Sequence, residues 1–334
     1  MKDTLPATST TQATQSMGTQ ATQSSLNTIS PLISNKFFFD AHCHLQEPEI
    51  IGQLDHIISR WKKIGGGTIV CCGTNENDWQ SVFDIADKYN NILPCVGLHP
   101  WYINEASNKW ADTLEKYLDQ HIKNIGSIGE IGLDFLLKNL DPLHQEKIFM
   151  SQMAMAREYK VPVSIHVRRG WDIFIKILKK MGTLPEGGVI HSYSGSADMV
   201  KIFEKYGLYI SFSGSITKPN NKKTRKALTA VSAERILIET DSPAILPHYP
   251  YYMYMQSNKS KQNKRDQDTQ FKDKLNQDEL NQDEQDKCEI LYLNGWNEPV
   301  NLFMVALTVA DILKVALPDV VALTIDNAQR LFRH

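Results

Sequence analysis

Apolar residues along this chain collect in short β-rich runs, separated by stretches in which they recur every three or four positions. The runs are Phe37–Leu45, Thr68–Gly73, Leu93–Leu98, Ile125–Leu133, Val161–Val167, Gly188–Ser192, Tyr206–Phe212 and Ile236–Glu239. Helical spacing marks Asp78–Tyr89, Gln145–Tyr159 and Trp171–Met181, and further helices are predicted from Val300 to Leu317 and from Pro318 to Leu331. A repeated strand-then-helix order requires right-handed crossovers and a parallel sheet. Eight repeats fit an α/β fold of the (β/α)8 TIM barrel type better than an open doubly wound sheet. No Gly-x-Gly-x-x-Gly turn follows the first run, which argues against a dinucleotide-binding fold.

Two segments break the pattern. Residues 1–35 are dominated by Thr, Gln, Ser and Ala and repeat Thr11–Ser16 as Thr19–Ser24, so they cannot bury a core and are expected to be disordered. Met17 lies inside this tail and offers a second translation start, which N-terminal sequencing of the native protein would reveal. Residues 256–289 are rich in Gln, Asn, Lys and Asp and repeat Leu275–Glu279 as Leu280–Glu284. They read as a surface insertion, with a fraying helix over Lys272–Lys287 as the variant. The rest, 36–334, reads as one domain.

Composition narrows the function classes. With 42% apolar and 22% charged residues the chain is that of a globular protein, and no apolar run reaches the length of a membrane span. No membrane partner is expected. The formal net charge of −2 supplies no global basic field, so a polyanion would have to be held by local contacts. The five cysteines lack framework spacing and read as reduced thiols of a cytoplasmic protein. Cys43 lies between His42 and His44 but faces the other side of its strand, so it is not counted as a ligand.

The chemistry collects where the runs end. In a parallel barrel the active site lies at the C-terminal ends of the strands. The first run ends in His42 and His44, which project from the same face because side chains alternate along a strand. The fourth carries Glu130, the fifth ends in His166, the sixth in His191, and the eighth leads to Asp241. A His-x-His pair alone is more often a buried or turn pair than a metal site. Four imidazoles and two carboxylates at one mouth are another matter. Six such groups exceed the needs of one tetrahedral ion and suit two divalent ions bridged by a carboxylate. The mixed nitrogen and oxygen set accommodates Mg²⁺, Mn²⁺, Zn²⁺ or Co²⁺.

These motifs in this order carry a resemblance. His42-x-His44, Gly97-Leu-His99-Pro100, Gly129-Glu130-Ile-Gly-Leu-Asp134, Ile165-His166-x-Arg168, His191-Ser-Tyr-Ser-Gly195, Glu239-Thr-Asp241-Ser-Pro243 and Asn297-Glu-Pro299 resemble the TatD family of metal-dependent hydrolases and deoxyribonucleases. The likeness runs from about Phe37 to Phe332. It implies an amidohydrolase-type barrel, a dinuclear site and phosphodiester hydrolysis, in several members from a DNA 3′ end. The family's ligands fall on His42, His44, Glu130, His166, His191 and Asp241. The chain departs from the family in the 256–289 insertion and in Trp296, which stands where a basic residue commonly precedes Asn-Glu-Pro.

On that reading Asp241 binds one ion and accepts the proton of the attacking water, while Glu130 bridges the two. His99 and Arg168 are the candidate substrate contacts, through a hydrogen bond and a bidentate phosphate clamp respectively. Lys218, Lys222, Lys223, Arg225 and Lys226 would track a nucleic-acid backbone, most simply that of single-stranded DNA, and Trp101 and Tyr102 would stack an unpaired base. The enzymatic rival is a hydrolase of a small phosphoester, lactone or cyclic amide. The rival of another class is a non-catalytic partner protein on the same scaffold.

Overall fold

The computed structural model describes residues 38–248 and 295–332. The tail over 1–35, the insertion over 256–289 and Cys288 lie outside the described residues. Within them, eight parallel strands follow one another around a barrel: β1 (Phe38–Cys43), β2 (Gly66–Cys72), β3 (Ile92–Val96), β4 (Ser127–Asp134), β5 (Val163–Arg168), β6 (Gly188–Ile190), β7 (Leu208–Phe212) and β8 (Ile236–Ile238). A helix follows each of the first seven: α1 (Leu54–Lys63), α2 (Trp79–Lys88), α3 (Trp110–His121), α4 (Pro142–Tyr159), α5 (Trp171–Met181), α6 (Ala197–Lys205) and α7 (Lys222–Leu228). Two more, α8 (Leu302–Leu313) and α9 (Leu317–Phe332), complete the described fold. No single helix among the described residues is long and apolar enough to cross a membrane.

Local chemistry sets the element ends. The α4 helix begins where the Asp141 carboxylate accepts from the Leu143 N–H at 3.0 Å with Pro142 at the first helical position, and it stops at Lys160 in the left-handed region. The helix expected over Val300–Leu317 is shorter, because Pro299–Asn301 forms a separate tight turn and Lys314 (φ 59°) ends α8.

Two apolar layers sandwich the sheet. Inside the barrel, Phe39, Leu93 and Tyr209, near the N-terminal ends of their strands, pack with Val70, Val189 and Leu237 against Ala328, Leu331 and Phe332 of α9. The Phe39 and Phe332 rings stack with centroids 5.8 Å apart, so α9 stoppers the barrel opposite the mouth. The outer layer, between strands and helices, buries Trp61, Trp79, Phe149, Phe174 and Phe203 completely. Each contributes about 1.5–3 kcal/mol relative to exposure. Cys43 belongs to this outer layer, and the four described cysteines are buried free thiols.

The seam between β8 and β1 is closed by polar groups. The Asp241 N–H donates to the His42 carbonyl at 2.9 Å, and the His44 N–H to the Ser242 carbonyl at 2.7 Å. Below them the Thr240 N–H and hydroxyl donate to the Asp40 carboxylate at 2.9 and 2.5 Å. Burial pushes the Asp40 carboxyl up to about 8 despite these bonds.

Two glycines let β4 lie close to β5. A Cβ on Gly129 would meet the Ser164 carbonyl oxygen at 2.7 Å, and one on Gly132 would meet the His166 carbonyl oxygen at 1.9 Å. Gly132→Ala is therefore expected to destabilise the protein by about 1–3 kcal/mol or more, since the obstacle is backbone and cannot swing aside. The check is a denaturant melt, and an unchanged midpoint would contradict this packing.

Candidate metal centre

The observed strands end one or two residues short of several runs read from the sequence, and the reason lies at the site. His44, His99, His191 and Asp241 stand just beyond their strands, where the chain turns to aim side chains across the mouth. Asp241 (φ 57°) and Ser192 (φ 41°) adopt left-handed conformations that cost a non-glycine residue free energy.

Glu130 sits at the centre of the mouth, and its two oxygens face different groups. Oε2 lies 3.4 Å from His42 Nε2 and 3.3 Å from His44 Nε2. Oε1 lies 2.9 Å from His166 Nδ1, 2.7 Å from His191 Nε2 and 3.2 Å from His99 Nε2. Asp241 Oδ1 closes the first group, 3.5 Å from His44 Nε2 and 4.0 Å from His42 Nε2. Three sets have donor atoms close enough to share an ion: His42, His44 and Glu130; His42, His191 and Asp241; and His99, Glu130 and His166. All six sequence-derived candidates are thus brought together, each less than a tenth exposed.

The outward nitrogens decide which rings can ligate. His44 Nδ1–H donates to the Cys72 carbonyl at 2.7 Å, leaving Nε2 with its lone pair toward the centre. His166 Nε2 meets Asp134 Oδ2 at 3.3 Å with the same effect, while His191 Nδ1 only faces Glu239 Oε1, at 3.4 Å. His42 Nδ1 meets the Ser164 hydroxyl at 2.9 Å. His99 differs: its Nδ1 accepts the Trp101 N–H at 3.2 Å, so Nε2 carries the proton and points a donor, not a lone pair, into the site. Burial lowers His99 to about 4, which keeps the ring neutral. Its Nε2–H therefore faces Glu130 Oε1 at 3.2 Å as a donor rather than as a ligating lone pair.

The protonation of the cluster follows from these contacts and from burial. Burial alone would raise the Glu130 carboxyl, but His191, His99 and His166 hold it well below the usual range. Asp241 is likewise lowered against burial, chiefly by His44. Burial would lower His44 and His191 as well, but contacts to Glu130, with Asp241 at His44 and Glu239 at His191, raise both well above the usual imidazole value. Buried nitrogens and carboxylates at this density need protons or cations to balance them, and the donor set fits divalent ions. At neutral pH an arriving cation must displace the protons on His44 and His191, so affinity should rise with pH as those protons are lost. Calorimetric Mn²⁺ titrations should show proton release at pH 7 and affinity at least ~10-fold greater at pH 8 than at pH 6. Affinity independent of pH would contradict this.

Over the cluster opens a cavity of about 320 Å³, lined by His44, Glu47, Glu49, Thr74, His99, Trp101, Tyr102, Glu130, His166, His191, Asp241, Pro243 and Ala244. Trp101 is 47% exposed at its rim, held by an Nε1–H bond to Asp134 at 2.8 Å. Arg168 does not line the cavity. It ends β5 half-exposed, 3.5 Å from Asp134 Oδ2. Lys218, Lys222, Lys223 and Lys226 are exposed beyond β7, whereas Arg225 donates to the Ile216 carbonyl at 3.1 Å and faces Asp311.

Sequence reasoning assigned no role to Asp134 and Glu239, the fully buried carboxylates behind His166 and His191. A signal existed: they lie four and two residues from Glu130 and Asp241, an even spacing that in an extended run puts side chains on one face. Trp296 is half-buried against the outer layer.

A family model described as "TatD related DNase" matches residues 39–333. The chain is 28% identical over 298 residues to the "Uncharacterized metal-dependent hydrolase YabD" of Bacillus subtilis, covering 88% of this chain and 98% of that protein. It is 30% identical over 212 residues to the "3'-5' ssDNA/RNA exonuclease TatD" of Klebsiella pneumoniae, covering 63% of this chain and 79% of that protein. The crystal structure of the TatD homolog YjjV from Escherichia coli superposes with a TM-score of 0.72 over 89% of this chain and 98% of that one, at 24% identity, which supports the fold.

Proposed function

The chain belongs to the TatD family of metal-dependent hydrolases acting on ester bonds, and from that premise we propose that it removes nucleotides from the 3′ end of single-stranded DNA at a pair of divalent cations. The observation that carries this reading is the division of Glu130 between two imidazole groups, one oxygen to each. A carboxylate so placed would serve as a ligand common to two divalent ions, an arrangement suited to in-line displacement at phosphorus. The bound pair would supply the nucleophile at neutral pH and offset charge on the phosphoryl oxygens. His42, His44 and Asp241 would hold one ion, and His166 and His191 the other, with Glu130 common to both.

The chain's own groups do the positioning. Asp241, a buried carboxylate held ionised, accepts the proton of the attacking water. His99 directs its Nε2–H at the phosphoryl or leaving oxygen. Trp101 offers an exposed ring to an unpaired base, and the four exposed lysines beyond β7 lie outside the cavity where a trailing strand would pass. Arg168 reaches a phosphate only at the rim, from its pair with Asp134. Reduced, buried thiols suit a cytoplasmic setting.

One observation favours the alternative of a small phosphoester, lactone or cyclic amide: among the described residues no lysine or arginine lines the cavity itself. The family assignment sets aside the non-catalytic scaffold. Digestion of a 5′-labelled single-stranded oligodeoxynucleotide with Mg²⁺ or Mn²⁺, beside EDTA and a His42→Ala/His44→Ala control, tests the proposal. A metal-dependent ladder shrinking from the 3′ end, absent in the control, is expected. No cleavage by protein holding two ions per chain would transfer the reading to small substrates.

A further inference from the structure

The Asn297-Glu298-Pro299 motif has no part in the chemistry above, yet Asn297 is fully buried and its amide is fully engaged. Its Nδ2 donates to the Thr240 carbonyl at 2.8 Å, 57 positions away, and to the Ile245 carbonyl at 3.3 Å. Its backbone N–H donates to the Pro243 carbonyl at 2.9 Å. Its Oδ1 accepts from the Glu298 N–H at 3.0 Å and from Asn301 Nδ2 at 2.9 Å. One residue therefore ties down three carbonyls of the segment 240–245, and Asp241 is in that segment. Glu298 in turn pairs with Arg60 of α1, the helix that follows the strand bearing His42.

We propose that Asn297 is a positioning residue that fixes the Asp241 carboxylate at its cation, with the Arg60–Glu298 pair holding Asn297 in place. Asp241 needs an outside constraint because it is a non-glycine residue at φ 57°, in a loop beyond the last strand. The seam bonds to His42 and from His44 fix the backbone on one side only. Asn297 supplies the other side. A ligand carboxylate tolerates displacement of only about half an ångström before its geometry fails. The inference rests on the reading of Asp241 as a ligand.

Asn297→Asp is the sharp test, since it keeps shape and the Oδ1 acceptor but replaces the amide hydrogens by an oxygen facing two carbonyls. Mn²⁺ is titrated calorimetrically into the full chain as wild type, Asn297→Asp, Asp241→Asn, the double variant and Arg60→Gln, with circular dichroism and metal-free melts as the check on folding. Asn297→Asp should weaken one ion at least ~10-fold and leave the other within about threefold, and Arg60→Gln should weaken the same ion less. If Asn297 acts through Asp241, the double variant binds no more weakly than Asp241→Asn alone. Wild-type binding by Asn297→Asp while Asp241→Asn is weakened would overturn the inference, as would equal loss of both ions or losses that multiply in the double variant. Unaltered binding by Asp241→Asn would instead overturn the ligand role of Asp241 and the clamp with it. Should Asn297→Asp not fold, Arg60→Gln carries the test with the same outcomes.

Discussion

Glu130→Gln should abolish paired metal binding and lower hydrolysis by at least ~10³-fold, the rate equivalent of the several kcal/mol that a metal pair supplies in transition-state charge stabilisation. The size of the effect follows from the position of the side chain. Glu130 is the residue whose oxygens reach both His42 with His44 and His166 with His191. Its charge also sustains the raised affinity of His44 and His191 for protons. Glutamine offers one carbonyl oxygen and one N–H₂, so a donor must face one cluster of lone pairs or the other. Metal analysis after dialysis should find fewer than two ions per chain, and single-turnover assays should show the loss in the chemical step. Retention of both ions with near-normal turnover would remove Glu130 from the centre.

Asp241→Asn should lower the rate about 10²–10⁴-fold, the range for loss of a general base, with a much smaller change in KM. Asparagine preserves the volume and the left-handed turn, which Asn tolerates better than most residues. What disappears is a buried carboxylate that His44, His191 and His42 hold ionised against the pull of burial. Since a metal-binding defect would lower the rate too, kinetics should be taken at saturating Mn²⁺. A full rate under those conditions would contradict a proton-accepting role.

The contrast between these residues and their neighbours shows what the sequence carries. The barrel was legible because each apolar run is separated by a helix-length stretch, and the centre was legible because polar groups ending buried runs are conspicuous. The six candidates converge as expected. The roles of the groups behind them depend on distances between remote strands. Asp134 beneath His166, Cys72 offering its carbonyl to His44, and Asp40 bonded to Thr240 across 200 positions involve no local pattern. The tautomer that separates His99 from the four other rings depends on one N–H two residues away, in a tight turn over Pro100–Tyr102. Arg168 is a mixed case: its spacing suggests a phosphate clamp, and the fold sets it half-exposed beside the buried Asp134, outside the cavity lining. The basic run behaves similarly, since Arg225 faces Asp311 while its lysine neighbours remain exposed.

If Glu130 joins two cation sites, both must fill together around it. Anomalous diffraction from crystals grown with Mn²⁺ tests it most directly. The expected result is two peaks about 3.5–4 Å apart, one beside His42 and His44 and the other beside His166 and His191, with a Glu130 oxygen on each. A single peak at saturating Mn²⁺, or two peaks with Glu130 bound to only one, would contradict it.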